Sequence, residues 1–73
     1  MQQYYTNSFD DGSKVLVIVN GDISYTFTSP CSVKIIPFID RCLALYEKFE
    51  KGLIPLGFET TMVCGLDVTK FKQ

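Results

Sequence analysis

The 73-residue chain contains no histidine. Imidazole is the usual general base near neutral pH, the usual partner of a nucleophilic cysteine or serine, and the commonest zinc ligand. The sequence also lacks an acidic pair with catalytic spacing and any glycine-rich phosphate-binding motif. We therefore expect a protein that is not an enzyme and that needs no metal or other cofactor.

Cysteine is scarce and widely spaced. Cys31, Cys42 and Cys64 lie eleven and twenty-two residues apart, so no CxxC pair is present for zinc or for a redox dithiol. An odd number of separated cysteines is also a poor basis for a secreted disulfide scaffold. We expect free thiols in a reducing compartment, the cytoplasm, with Cys42 packed in the core and Cys31 in a Ser/Pro loop where it is the more reactive candidate.

Long apolar runs and clusters of one charge sign are also missing. No uninterrupted apolar run is longer than that of residues 15–19, far short of the ~20 residues of a membrane-spanning helix. The first nine residues lack the basic and apolar regions of a signal peptide. Seven basic and eight acidic residues leave a net charge of −1, and Lys14 and Lys34 are the basic residues of the first forty. We expect no membrane partner, and the absence of a cationic surface makes nucleic acid an unfavourable one.

The composition indicates one small globular domain. Apolar residues make up 47% of the chain and charged residues 21%, and a chain this short buries only about 60 to 65% of its unfolded surface. We expect a single compact unit with a thin core, ordered from about residue 3 to residue 69, with a tail at 70–73.

A β-hairpin is the strongest local signal. Residues 14–19 form a β-branched run, and residues 22–28 alternate between apolar and polar. Asn20-Gly21 between them is typical of a type I′ turn. Residues 3–9 predict a preceding strand, joined to the hairpin through the turn-forming residues 10–13.

A two-residue turn at Asn20-Gly21 fixes a register in which Ile18 lies opposite Ile23 and Val17 opposite Ser24. Alternate side chains then form two faces. One face supplies the core: Leu16, Ile18, Ile23, Tyr25 and Phe27. The other face carries small apolar and hydroxyl side chains, with one residue of the last strand as a further candidate: Val15, Val17, Val19, Ser24, Thr26, and Val63 or Met62. We expect core packing and cross-strand pairing, rather than base stacking, to explain the rings of Tyr4, Tyr5, Tyr25 and Phe27.

An amphipathic helix follows the Ser/Pro loop, because apolar residues recur there at helical spacing. They are Ile35, Phe38, Ile39, Cys42, Tyr46, Phe49 and Leu53. Lys51-Gly52 predicts its end. Pro37 fits within the first turn, and a start at Pro37 would place Asp40 in that turn as well. The apolar arc is roughly 180° wide, against ~100° for a helix on a single core, and Ile36 and Leu43 lie at one flank.

The last part of the chain predicts a strand at residues 58–64, parallel to the third strand, and a short edge strand or tail at 66–71. The sequence leaves open whether the strand at 58–64 lies beside the third strand or beside the first. The fold class expected is α+β: a small antiparallel sheet made of a three-stranded meander and one strand after the helix (βββαβ), with the helix packed on one face.

Apolar surface exceeds what one core needs, which favours an interface. The first candidate is the sheet face with Val15, Val17, Val19 and Thr26, and the second is the helix flank with Ile36 and Leu43. We expect a module that binds and blocks a larger protein target, as inhibitors, antitoxins and anti-defence proteins do, or that forms a homodimer. The alternative is a small nucleic-acid-binding regulator.

Overall fold

A five-stranded antiparallel sheet with one helix on one face makes up the fold. The computed structural model describes residues 2–53, 61–63 and 65–72. In chain order the elements are β1 (Gln2–Ser8), β2 (Lys14–Asn20), β3 (Ile23–Ser29), α1 (Ile35–Glu50), β4 (Thr61–Val63) and β5 (Leu66–Lys72). The strand order is β1-β2-β3-β5-β4, and all neighbours are antiparallel. The α+β class and the three-stranded meander predicted from the sequence are confirmed.

The C-terminal segment departs most from the prediction. Residues 66–71 were expected to form an edge strand or a tail, but β5 lies between β3 and β4. Leu66 and Val68 are almost completely buried, so β5 contributes to the core. β4 runs in the same direction as β3, as predicted, yet β5 separates the two. Two alternating apolar residues are too short a pattern to reveal a central strand, and residues 58–60 and Cys64 of the predicted fourth strand lie outside the described residues.

The hairpin register differs from the predicted one by two residues. Asn20 pairs with Ile23, so the loop residues are Gly21, with φ of +65°, and Asp22. Val17 lies opposite Thr26 instead of Ser24. Because side chains alternate with a period of two, a slip of two residues leaves every side chain on its predicted face.

The core lies between α1 and strands β2, β3 and β5. The Tyr25 ring meets Tyr46 edge-on, with centroids 5.3 Å apart, and stacks on Phe49 at 5.9 Å. Eleven apolar side chains are buried in the described part of the chain: Leu16, Ile18, Tyr25, Phe27, Phe38, Cys42, Leu45, Tyr46, Phe49, Leu66 and Val68. The prediction that Tyr25, Phe27 and Cys42 are core residues is confirmed.

The helix begins at Ile35, two residues before Pro37. Pro37 therefore sits in the first turn, where a backbone N–H has no intrahelical acceptor and its absence costs least. Asp40 lies in the second turn, because the helix does not begin at Pro37, the start on which a first-turn position for Asp40 depended.

The helix ends as the sequence predicts. Gly52 adopts a φ of +73°, and its N–H donates to the Phe49 carbonyl oxygen at 3.1 Å. The Leu53 N–H donates to the Lys48 carbonyl oxygen at 2.9 Å. This pair of bonds is a Schellman motif, which glycine permits because its φ is positive at low cost.

Strand β1 lies beyond the area that the helix covers. All seven of its residues are exposed, because α1 packs on β2 and β3. Tyr4 and Tyr5 are 54% and 59% exposed and lie opposite Ile18 and Val17. The prediction of core packing is therefore wrong for these two tyrosines, although both form cross-strand pairs with β2.

Candidate interaction surface

The side of the sheet opposite α1 forms a second, uncovered surface, which we call the helix-free face. The strand registers place its side chains in three rows across the sheet. From β1 outward, these rows are Gln3, Val19, Ser24 and Phe71; Tyr5, Val17, Thr26 and Thr69; and Asn7, Val15, Thr28, Asp67 and Met62. Directly opposed residues share a face because side chains alternate along each strand.

This face has almost no charge. Of the thirteen side chains that the described strands place there, Asp67 alone is ionisable at neutral pH. Tyr5, Met62 and Phe71 are each more than half exposed. About a quarter of the residues in a soluble domain are charged, so about three charges would be expected among thirteen positions. The helix-free face is therefore chemically suited to contact another macromolecule.

The structure brings the four residues of the first candidate surface together. Val15, Val17 and Val19 project from β2 and are partly buried by their neighbours, and Thr26 lies directly opposite Val17. Val17 occupies the middle of the face, with Tyr5 on its other side. These positions agree with the sequence-based assignment of faces, even though the predicted hairpin register is wrong.

The last strands add residues that the sequence left open or did not reveal. Met62 lies opposite Asp67, on the helix-free face, whereas Val63 lies opposite Leu66 and faces the core. Phe71 joins the face from β5. The alternation in residues 66–71 was the available signal, but it could not be assigned to a face until its pairing with β3 was known.

The two residues of the second candidate surface, Ile36 and Leu43, lie in different surroundings. Ile36 is 65% exposed near the start of α1, whereas Leu43 is partly buried two turns later. Leu43 borders an open groove of about 510 Å³ between the helix and the ends of β1 and β2, and Ile36 does not. Five of the residues that line the groove carry charged or amide side chains, and the other two are Leu43 and Tyr46: Gln2, Asn20, Leu43, Tyr46, Glu47, Glu50 and Lys51.

Two charged side chains that line the groove, Lys51 and Glu47, form an ion pair at the surface. Lys51 Nζ lies 2.7 Å from Glu47 Oε1, and this hydrogen-bonded ion pair lowers the pKa of Glu47. The sequence predicts this i,i+4 pair, and the structure confirms it. Both side chains are more than half exposed, so the pair contributes little to stability.

Three other side chains carry potentially reactive groups: Asp11, Cys31 and Cys42. Asp11 accepts hydrogen bonds from the Ser13 hydroxyl at 2.6 Å and from the Ser13 N–H at 2.9 Å, and these bonds lower the pKa of Asp11. Burial raises the pKa of the Cys42 thiol to about 12. Cys31 is an exposed free thiol. Within residues 2–53, 61–63 and 65–72, no three His, Cys, Asp or Glu side chains converge in a way that could hold a metal ion.

Comparison with known proteins yields no relative from which a function can be carried over. No protein-family model matches the chain, and no match was found among curated proteins or solved structures. None of the described helical residues form a segment long and apolar enough to cross a membrane.

Proposed function

We propose that this protein is a non-enzymatic interaction module that binds a larger protein target through the helix-free face and blocks it. The low charge of that face carries the proposal, with Asp67 as its one ionisable side chain among the thirteen described positions. Protein interfaces are depleted of charge at their centre and enriched in tyrosine, phenylalanine and methionine. Tyr5, Met62 and Phe71 match that composition.

The expected centre of the interface is Val17. It is surrounded on the sheet by Val15, Val19, Tyr5 and Thr26, so a partner that covers this point excludes water from all five side chains. Binding energy concentrates in such central, well-enclosed positions. A complementary target surface would be flat, apolar and poor in charge.

Inhibitors, antitoxins and anti-defence proteins of mobile elements are small chains of this kind, and the proposed function assigns this protein to that group. Each acts by occupying a surface of its target, which needs no catalytic group. Two described thiols, Cys31 and Cys42, are free, and this supports a reducing compartment such as the cytoplasm as the place of action.

A charge at the centre of the face tests the proposal. Val17→Lys should leave the fold intact, because Val17 is not part of the core, and should abolish target binding, because a buried unpaired charge is strongly disfavoured. Ala44→Lys, on the exposed side of α1, is the matched control and should bind normally. Proteins retained by the tagged wild type would be identified by mass spectrometry, purified, and titrated with each variant.

The outcomes separate the candidate surfaces and the alternative function. Full binding by Val17→Lys would contradict the proposal, and loss of binding in Ile36→Lys alone would transfer the interface to the helix flank. The same preparations would be titrated with random oligonucleotides at ~150 mM salt. Binding tighter than about 10⁻⁴ M that weakens steeply with salt would instead support a nucleic-acid-binding regulator.

A further inference from the structure

The two edges of the sheet are formed by β4 and β1. β4, at one edge, is described over three residues, Thr61–Val63. Sheet edges are normally protected from pairing with another chain by short length, by proline or by charged side chains. β1, at the other edge, has seven residues, Gln2–Ser8, and contains no proline and no charged side chain. Both of its faces are exposed. β1 thus lacks the features by which sheet edges normally avoid pairing with another strand.

The hydrogen bonds between β1 and β2 determine which backbone N–H and C=O groups of β1 point toward β2 and which point toward the open edge. The Phe9 N–H donates to the Ser13 carbonyl oxygen at 2.9 Å, which continues the β1–β2 register by one pair. Because N–H and C=O groups alternate in direction along a strand, those of Tyr5 also point toward β2. Those of Tyr4 and Thr6 therefore point away from β2, toward the open edge.

The Ser8 N–H agrees with this assignment. It donates to the Asn7 side-chain Oδ1 at 3.0 Å rather than to β2. This local bond occupies the last outward-pointing donor of the strand. The outward N–H groups of Tyr4 and Thr6 have no acceptor among the described residues.

We infer that the open edge of β1 pairs with β1 of a second copy of this chain, antiparallel and about a two-fold axis at Tyr5. In this register Tyr4 lies opposite Thr6 of the other copy, so the outward N–H and C=O groups of each bond to the other. It is the register in which all seven residues of Gln2–Ser8 overlap, and Tyr5 then lies opposite its own copy. The inference goes beyond target binding and does not depend on it.

A second copy suits this edge better than an unrelated segment. With the axis at Tyr5, every side chain of β1 lies opposite a β1 side chain of the other copy, and β1 has no charged residue that such pairing would bring against another. Tyr5 also gains a contact with its own copy, since opposed aromatic side chains on adjacent strands attract. The result is a continuous ten-stranded sheet with both helices on one side and a doubled helix-free face on the other.

The interface consists of one strand pair, and interfaces below ~1,200 Å² are weak or transient. We therefore expect reversible association between about 10 µM and about 1 mM. Sedimentation over this range should show a mass rising from 8.3 kDa toward twice that value. A wild type that stays monomeric throughout would overturn the inference and leave an extended segment of a different protein as the partner of the edge.

A substitution of the backbone donor locates the contact. Thr6→Pro removes an N–H that points to the open edge and leaves the donors to β2 in place, and an edge strand tolerates proline where its N–H faces away from the sheet. It should stay monomeric at every concentration, whereas Thr6→Val, which keeps the N–H, should associate like the wild type. Equal association of Thr6→Pro and Thr6→Val would refute edge pairing. Val17→Lys should still dimerise, so that loss of dimerisation and loss of target binding are distinguishable.

A cross-link tests the register independently of any effect of proline on folding. The opposed Tyr5 positions form a non-hydrogen-bonded pair with Cα atoms ~4.5 Å apart, within the range for a disulfide. With Cys31 and Cys64 replaced by serine, Tyr5→Cys should form covalent dimers on mild oxidation. The two copies of Asn7→Cys would lie about 14 Å apart along the strands and should not. Equal cross-linking of the two variants would overturn the proposed register.

Discussion

Asn20 Nδ2 donates a hydrogen bond of 3.0 Å to the Tyr46 hydroxyl, joining the end of β2 to the fourth turn of α1. The two residues are 26 positions apart in the chain. This bond accompanies the observed register of the hairpin, in which Asn20 is a strand residue paired with Ile23 and is not part of the turn. Asn20, which local sequence rules assign to the turn, is thus a strand residue that contacts a distant segment of the chain.

Tyr46→Phe tests the contribution of this bond. The phenyl ring keeps its packing against Tyr25, so the change removes the hydroxyl alone. We expect a loss of about 0.5 to 1 kcal/mol in the free energy of unfolding, because Asn20 is exposed and water can replace the lost partner. Urea denaturation of Tyr46→Phe, Asn20→Ala and the double variant measures it. Strictly additive effects would contradict a direct interaction.

Gly12→Ala should be the most damaging of the turn glycine substitutions. Gly12 has a φ of +87°, and a Cβ there would lie 2.7 Å from the Ser32 Cβ. Its carbonyl also accepts a hydrogen bond from the Val33 N–H at 3.4 Å, so the loop is held against the segment before α1. We expect a loss of about 2 to 3 kcal/mol, from strain in φ together with the clash.

Gly21→Ala is the matched control for this prediction. Gly21 has a φ of +65°, but no atom of the described residues lies within 4 Å of the position that an alanine Cβ would occupy. Its substitution should therefore cost only about 1 kcal/mol of conformational strain. Thermal unfolding compares the two variants, and Ser32→Gly in the Gly12→Ala background should recover part of the loss. Equal destabilisation at both glycines would show that the contact with Ser32 is unimportant.

Cys42 makes stability depend on pH in the alkaline range. The ordinary thiol pKa is 9.0, and burial raises the pKa of Cys42 to about 12. Between these values the unfolded chain loses the proton while the folded chain keeps it, so rising pH favours unfolding. We expect a loss of roughly 2 kcal/mol between about pH 9 and about pH 11 from this group.

Cys42→Ala isolates that contribution. The variant is less stable at every pH because it leaves a cavity, but its stability should decline less steeply above about pH 9. Burial also raises the pKa values of Tyr25 and Tyr46, and both chains share these tyrosines, so the difference in slope reports Cys42. Parallel pH profiles of the two proteins would contradict the prediction.

The sequence alone was sufficient for the local elements. The β-branched and alternating runs predict β2 and β3, and the apolar spacing predicts α1 with its stop at Gly52. These patterns arise from steric preferences and from periods of 2 and 3.6 residues that act within a few positions of the chain. The assignment of Val15, Val17 and Val19 to one face also follows from the sequence, because alternation survives an even shift of register.

Only the tertiary structure decided how these elements pair. The central place of β5, the bond between Asn20 and Tyr46, and the exposure of Tyr4 and Tyr5 all depend on contacts between distant segments. Several strands could pair at the same edge or pack on the same apolar surface. The pairing that forms depends on the packing of the whole chain, which no local sequence pattern contains. The extent of the helix-free face and the open edge of β1 became visible only once that pairing was known.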